Sequence, residues 1–265
     1  MIDIDFDCYL DTPEGKDPDS FSPTLRASHQ FLWSKQLPDG RYFQLDADNK
    51  PFLTHNSDIG EFWLKSDAIT HTYRGRPTIK PLLPQLPSDL AEYVQNAQWL
   101  ISECILFPGK RINGQNTING ARGMNTYIDD RFDLTLECIK RHYEEGRSPL
   151  SEVLLRYQDF FQLFEDFRGY VEFFLLQDLV NANDTINFYI PFSGFEHKAL
   201  PRGLDPYVRY LNSMREFGAA RAERMKLGVA LKVLGKSDKS ESSHKLRYNI
   251  TFQGKHEENW CIVWT

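Results

Sequence analysis

Apolar and polar residues alternate with a period of two along the first part of the chain. This pattern marks residues 2–8, and short apolar runs at 41–45, 51–55, 61–65 and 68–73 follow between polar turns. Successive side chains of a strand point to opposite faces, so a period of two is typical of half-buried strands. The N-terminal part is therefore predicted to be strand-rich, with hairpins or a meander.

The centre of the chain carries apolar residues at helical spacing, three to four positions apart. The most apolar segment, 167–180, is apolar on nearly all sides, which predicts a central buried helix. Helices are predicted at 88–107, 129–145, from Ser148 onward, at 167–180 and at 205–227, with one further strand at 186–192.

The C-terminal end differs from the rest of the chain. Residues 235–245 are polar and of low complexity, which predicts a linker, and residues 246–265 alternate around a turn, which predicts a β-hairpin docked on the main domain. The predicted fold class is α+β, with a strand-rich N-terminal half packed on a central helical bundle. Residues 1–234 are predicted to form its single domain.

The composition is that of an ordinary globular protein, with 41% hydrophobic residues and a net charge of −6. Aromatic residues make up 14% of the chain, so much of the core is expected to consist of aromatic side chains. No apolar run approaches the roughly 18–20 residues of a membrane span, and the acidic N-terminus lacks the features of a secretory signal. A cytoplasmic protein without a membrane partner is expected. Cys8, Cys104, Cys138 and Cys261 lie far apart, which predicts reduced, mostly buried thiols and no metal site.

One segment, the glycine-rich basic stretch 108–125, carries the strongest signal for chemistry. It contains four glycines, side-chain amides such as Asn119, and the cations Lys110, Arg111 and Arg122. Glycines allow backbone N–H groups to approach an anion, and arginines bind phosphate through two donors. A site for the phosphates of a nucleotide, a dinucleotide or nucleic acid is predicted, although neither standard phosphate-binding motif is present. The alternative is a tight loop whose amides cap helices and whose arginines bind carboxylates.

A second candidate is Glu172, which lies inside the most apolar segment. An ionised carboxylate is costly there unless it is paired, and Arg168 precedes it by one helical turn. One interpretation is a buried Arg168–Glu172 ion pair. The other is that Glu172 is catalytic and faces a cleft shared with the glycine-rich loop.

The third candidate is the segment 22–35, in which Arg26 and His29 share one face if the segment is helical. His29 is either an acid–base catalyst or an ordinary buried histidine. In the most concrete hypothesis, Arg26 or His29 holds NAD, Tyr42 stacks on the nicotinamide and Glu172 stabilises an oxocarbenium-like centre. The chain would then be a nucleotide- or dinucleotide-directed enzyme, possible forms being an ADP-ribosyltransferase-like toxin or phage-defence protein.

The competing hypothesis is a non-catalytic binding protein. Residues 206–250 hold ten Lys and Arg against four Asp and Glu. This basic region and the glycine-rich loop would together bind nucleic acid or an acidic protein partner.

Several long blocks carry a family resemblance. TINGARG (117–123), RFDLTLECIKRHY (131–143), SPLSEVLLRY (148–157) and DFRGYVEFFLLQDLV (166–180) resemble a family of uncharacterised bacterial proteins, over about residues 2–225. The resemblance implies a bacterial, cytoplasmic protein and transfers no activity. The tail from about residue 228 is an addition to that pattern.

Overall fold

The computed structural model describes residues 2–49, 51–96 and 99–237. Residues Met1–Ala230 form one compact unit, and Leu231–Thr265 form a second, of which the end of the last helix is described. The helices are α1 (Pro18–Phe21), α2 (Pro23–Trp33), α3 (Ser88–Gln95), α4 (Ile118–Met124), α5 (Phe132–Tyr143), α6 (Ser151–Arg156), α7 (Gln158–Gln162), α8 (Phe167–Phe173) and α9 (Leu204–Ser237). The strands are β1 (Lys35–Gln36), β2 (Tyr42–Phe43), β3 (Leu53–Ser57), β4 (Gly60–Ala68) and β5 (Cys104–Pro108).

Two small antiparallel sheets form from these strands, one from β1 and β2 and the other in the order β3-β4-β5. In the larger sheet, Leu64 of the central strand pairs with Leu53 on one side and with Pro108 on the other. Alternate residues of β4 are buried from Phe62 to Ala68, as its period of two predicts. All five residues of β5 are buried, so this strand lies within the core.

Aromatic rings from α2, from α7 and from the residues that directly follow α7 and α8 pack together in the core. The ring of Phe164 lies 5.3 Å from those of Phe160 and Phe174, and Trp33 of α2 lies 5.3 Å from Phe174. These separations are typical of favourable aromatic pairs. The rings join the N-terminal helix to the central helices, so the core is continuous across the two halves of the sequence.

The predicted α+β class is confirmed, but three predictions within the first 107 residues are wrong. The strand predicted at 68–73 is absent, since β4 ends at Ala68. The helix predicted at 88–107 ends at Gln95, and its last part is strand β5. A short run that is apolar on both faces suits a buried strand as well as a buried helix, and periodicity alone cannot separate them. The strand predicted at 2–8 is also absent, since a single bridge joins Asp7 to Leu100 and a 3-10 helix, Cys8–Asp11, follows.

Three further predictions, for the helix from Ser148, the helix at 167–180 and the strand at 186–192, are corrected as well. The helix expected from Ser148 is broken at Tyr157 into α6 and α7. The helix predicted at 167–180 ends at Phe173, because Leu175 adopts a left-handed φ of 56°. The segment 186–192 forms no strand, and only Ile186 makes a bridge, to Val180.

The last described helix, α9, continues past its predicted end at residue 227 to Ser237 and includes the first residues of the predicted linker. The described part of the C-terminal region is thus helical. The predicted hairpin at 246–265 lies outside the described residues.

Within the described ranges, none of the helices combines the length and apolar character that a membrane crossing needs. Cys8, Cys104 and Cys138 are free and buried, and burial raises the pKa of Cys8 and Cys138 to about 12. Cys261 lies outside the described residues.

A buried ion pair fixes the start of α5. Arg131 and Asp133 are both almost fully buried, and the Arg131 Nε donates to the Asp133 carboxylate at 3.1 Å. The same carboxylate accepts the backbone N–H of Tyr189 at 3.0 Å, while Arg131 also donates to the carbonyl of Ala199. Breaking one partner of such a pair leaves a buried charge without compensation.

We therefore expect Asp133→Ala to lower the free energy of unfolding by about 3–5 kcal/mol. Asp89→Ala is the matched control, since Asp89 pairs with Arg215 on the surface, where an ion pair contributes at most about 1 kcal/mol. Urea unfolding followed by circular dichroism measures both values. Equal losses in the two variants would contradict this role for Asp133.

Candidate functional site

The glycine-rich loop, here residues 109–117, connects the end of β5 to the start of α4. It was expected between two helices, but the element before it is a strand. The Gly109 N–H donates to the carbonyl of Trp63 at 2.8 Å, and a Cβ on Gly109 would lie 2.7 Å from the Lys65 side chain. Only glycine allows this close approach. The loop is thereby attached to the central strand of the sheet.

The loop then turns through two left-handed residues, Asn113 with φ 52° and Gly114 with φ 73°. Asparagine and glycine tolerate this conformation best, which explains the Asn-Gly pair at this point. Thr117 caps α4 by accepting the N–H of Gly120 at 3.4 Å. The sequence thus fixes both ends of the loop.

A cavity of about 440 Å³ that is widely open to solvent lies between this loop and α6. Its volume is within the range of roughly 300–1,000 Å³ that is common for ligand sites. The walls come from the turn of the loop, one residue of α4, and α6 with the proline before it: residues 114–116, Ala121, Pro149, Glu152, Val153 and Arg156. We call this cavity the loop cleft.

Arg156 is the cation on the wall of the loop cleft. Its Nη2 donates to the carbonyl of Asn116 at 2.9 Å and its Nη1 to that of Glu152 at 3.4 Å. Its Nε is buried and has no hydrogen-bond partner. No carboxylate of the described residues forms an ion pair with Arg156, so the guanidinium is positioned by neutral groups and keeps its charge and three of its five N–H donors.

Lys110 and Arg111 precede the residues that line the cleft, and both are exposed. The Lys110 Nζ lies 4.7 Å from the centre of the Trp63 ring, and its carbonyl accepts the hydroxyl of Tyr157 at 2.9 Å. Tyr157 directly follows Arg156, so this hydrogen bond links the basic start of the loop to the end of α6.

Arg122, in contrast, is not available to a ligand. Its side chain is fully buried and paired with Asp67 of β4. Its Nε donates to the Thr135 hydroxyl at 2.8 Å, and its Nη2 donates to the carbonyl of Asp130 at 3.1 Å. The prediction that Arg122 binds an external anion is therefore wrong, because an internal carboxylate already neutralises it.

Asn119 also faces the interior. Its Nδ2 donates to the carbonyl of Ser66 at 3.0 Å, while its Oδ1 is buried without a partner. Together with Arg122 it attaches one side of α4 to β4, and Ala121 on the same helix lines the loop cleft.

Glu172 is exposed, so the expectation of a costly buried carboxylate at this position is wrong. Arg168 does not pair with it, but forms an ion pair with Asp184 and donates to the carbonyl of Asn181 at 3.1 Å. Helix α8 buries its aromatic face and presents Glu172 on its exposed side. The more buried glutamate is Glu103, which accepts the Thr70 hydroxyl at 2.9 Å and whose pKa burial raises to about 7.

His29 is buried on α2 and hydrogen-bonded through both ring nitrogens. Trp33 Nε1 donates to Nδ1 at 2.9 Å, and Nε2 lies 2.9 Å from the Ser66 hydroxyl. An indole can only donate, so Nδ1 is unprotonated and Nε2–H donates to Ser66. Burial, with help from the charges of Arg221 and Arg26, lowers the pKa of His29 to about 3. This is a neutral structural histidine.

The remaining residues of the dinucleotide hypothesis are also occupied elsewhere. Arg26 is buried and donates to the carbonyl of Phe52 at 3.0 Å and to that of Ala47. Tyr42 is exposed, and its hydroxyl donates to the carbonyl of Ser34 at 2.8 Å. None of Arg26, His29, Tyr42 and Glu172 is among the residues that line the loop cleft.

Two cleft residues, Glu152 and Arg156, were not identified from the sequence. The pattern around them is that of an ordinary amphipathic helix, and nothing in it separates a cleft arginine from a surface one. The described part of the chain places no group of three or more His, Cys, Asp or Glu side chains where they could hold a metal ion.

Comparison with known proteins gives a family and no activity. A family of unknown function, DUF6994, matches residues 2–225, and the chain belongs to this family. The matched range agrees with the extent of the resemblance found from the sequence blocks. Neither the curated proteins nor the solved structures give a match.

The different environments of Arg122 and Glu172 give a direct test. We expect Arg122→Met to lower the free energy of unfolding by about 3–5 kcal/mol, because the Asp67 carboxylate loses its guanidinium. Glu172→Gln should change it by less than about 0.5 kcal/mol, as for other exposed positions. Chemical unfolding measures both, and a large loss in Glu172→Gln would show that the carboxylate is paired inside the fold.

Proposed function

We propose that this chain binds a nucleotide, or a related phosphate-bearing molecule, in the loop cleft. The observation that carries the proposal is the Arg156 guanidinium, which lies on the cleft wall and forms no ion pair with a carboxylate of the described residues. Its hydrogen bonds to the carbonyls of Asn116 and Glu152 use one N–H of each Nη and leave the other. An anionic oxygen in the cleft would accept a hydrogen bond from these remaining donors.

The surroundings of Arg156 favour phosphate in particular. Arginine donors form strong, charge-assisted hydrogen bonds with phosphate oxygens. Lys110 and Arg111 add exposed positive charge at the start of the same loop. The glycine at position 114 leaves the backbone of the cleft wall open to close approach.

The dinucleotide-transferase form of the earlier hypothesis receives no such support. It requires Arg26, His29, Tyr42 and Glu172 to converge on one ligand. The first two make internal hydrogen bonds, and the other two are exposed. The proposal therefore concerns binding, and NAD remains one of the ligands to test.

The nucleic-acid alternative relied partly on the basic region 206–250. Several of its cations have internal partners: Arg215 pairs with Asp89, Arg224 with Asp178, and Arg221 is fully buried. A nucleic-acid surface needs cations that are free to neutralise phosphates. Within 206–232, the part of this region whose side chains the structure describes, these contacts favour the loop cleft as the anion site.

Thermal shift with ATP, NAD and inorganic pyrophosphate tests the proposal. A ligand at 100 times its Kd stabilises a protein by about 2.7 kcal/mol, which corresponds to a rise in Tm of about 5–10 °C for this size. We expect such a rise with ATP or NAD. We expect it to disappear in Arg156→Gln, with the Tm of the free protein nearly unchanged.

Arg147→Gln is the matched control, because Arg147 is an exposed arginine between α5 and α6 that does not line the cleft. It should keep the full ligand response. Absence of stabilisation by all three ligands, or equal loss in both variants, would contradict the proposal. Pyrophosphate carries no base, so stabilisation by pyrophosphate would show that the phosphate groups alone are enough for binding.

Glu152 gives a second test, since its carboxylate is exposed on the cleft wall one turn before Arg156. It should repel a bare anion, and Mg²⁺ on the phosphates should offset this repulsion. We expect Glu152→Gln to raise the affinity for pyrophosphate about two- to fivefold without Mg²⁺, as for a rim charge worth up to about 1 kcal/mol. The gain should shrink with Mg²⁺. Isothermal titration calorimetry measures it, and an unchanged Kd would place the ligand elsewhere.

A further inference from the structure

A second cluster of charged side chains lies around His71, and none of its members lines the loop cleft. Four groups act on His71 electrostatically: Asp67 of β4, Arg76, Arg122 of α4 and Asp130. Asp129 is paired with Arg76, and Asp67 with Arg122. The Nε2 of His71 is buried and has no hydrogen-bond partner. Buried polar atoms in native proteins rarely stay unpartnered without a reason.

The charges of this cluster do not balance when His71 is neutral. Asp67 pairs with Arg122 and Asp129 pairs with Arg76, which leaves Asp130 without a cation among the described residues. Its carboxylate instead packs against α4, where a Cβ on Gly123 would lie 3.1 Å from it. A proton on His71 would supply the missing positive charge.

The backbone around the cluster is strained at three positions. Tyr73, Asp129 and Asp130 all have a left-handed φ, of 55°, 44° and 60°, although none is glycine. The Tyr73 hydroxyl donates to the carbonyl of Asp129 at 2.5 Å, so two of these residues are directly joined. Such conformations cost about 1–3 kcal/mol each and persist only where the surroundings enforce them. A small change in the cluster can therefore release strain.

We propose that His71 is a proton-sensitive switch, which on protonation turns towards Asp130 and Asp67 and loosens the attachment of α4. Asp67 is the connection, since the same carboxylate holds Arg122 of α4. A histidinium beside Asp67 competes with that guanidinium. On its other sides His71 is held by α9, where Tyr210 donates to its carbonyl at 2.8 Å, and by the ring of Tyr73 at 6.0 Å.

The sign of the effect follows from the balance of burial and charge. Burial lowers the pKa of His71, and the nearby carboxylates of Asp130 and Asp67 only partly oppose this. A histidine with a lowered pKa in the folded state binds protons less readily than in the unfolded chain. The folded state therefore loses stability as the pH falls below about 6.5, the ordinary histidine value.

Nuclear magnetic resonance of histidine-labelled full-length protein measures the titration directly, with the His71 signal identified by its absence in His71→Gln. We expect His71 to titrate below its ordinary value in the wild type, and about one pH unit lower still in Asp130→Asn. Asp159→Asn, at an exposed position of α7, should leave it unchanged. Titration at the ordinary value, with no response to Asp130→Asn, would overturn the proposal.

Hydrogen–deuterium exchange of the α4 amides then tests the connection without any ligand. After correction for intrinsic exchange, protection of residues 118–124 in the wild type should fall by up to about tenfold between pH 6.5 and 5.5. His71→Gln should remove this fall. The same fall in both proteins would overturn the switch. If His71→Gln folds poorly, Asp130→Asn and Asp159→Asn are compared instead. A steeper fall in protection in Asp130→Asn supports the switch, and equal falls overturn it.

Discussion

The buried contact between Arg122 and Asp67 holds together the part of the molecule that forms the candidate site. Through it, α4 is attached to the central strand β4, and the bond from Arg122 to Thr135 adds α5 to the same contact. An ion pair taken out of water contributes only if its geometry and hydrogen bonds are nearly complete, as they are here. Since Ala121 of the same helix lines the loop cleft, the cleft wall depends on this pair.

Sequence patterns identified elements where local signals agree with the tertiary structure. Helix α5 (Phe132–Tyr143) lies within the range predicted from its apolar spacing, and β4 shows its period of two. Sequence patterns gave the wrong element where a segment is buried on all sides, because its apolar residues then show no period. Strand β5 is buried at all five positions and therefore looked like the end of a helix. The class of fold could be predicted, but the order of elements around the loop could not.

The candidate site was located in the correct loop, but its charged residues were only partly assigned. Composition cannot tell Arg122 from Arg156, because what separates them is the carboxylate of Asp67, which lies 55 positions away in the sequence. Glu172 shows the same limit, since an apolar run does not reveal which side of a short helix faces solvent. Family membership adds no activity to these residues. The candidate site is therefore defined by the cations that the fold leaves without a carboxylate partner.

The most direct test follows the arginine side chains themselves. In protein labelled with ¹⁵N-arginine, the Nε–H signals of Arg156 and Arg122 can be observed while pyrophosphate is added. The Arg122 Nε already donates to Thr135, whereas the Arg156 Nε has no partner. The account predicts a saturable shift of the Arg156 signal with Arg122 unchanged. An Arg156 signal that stays fixed at all concentrations, or equal shifts of both signals, would contradict it.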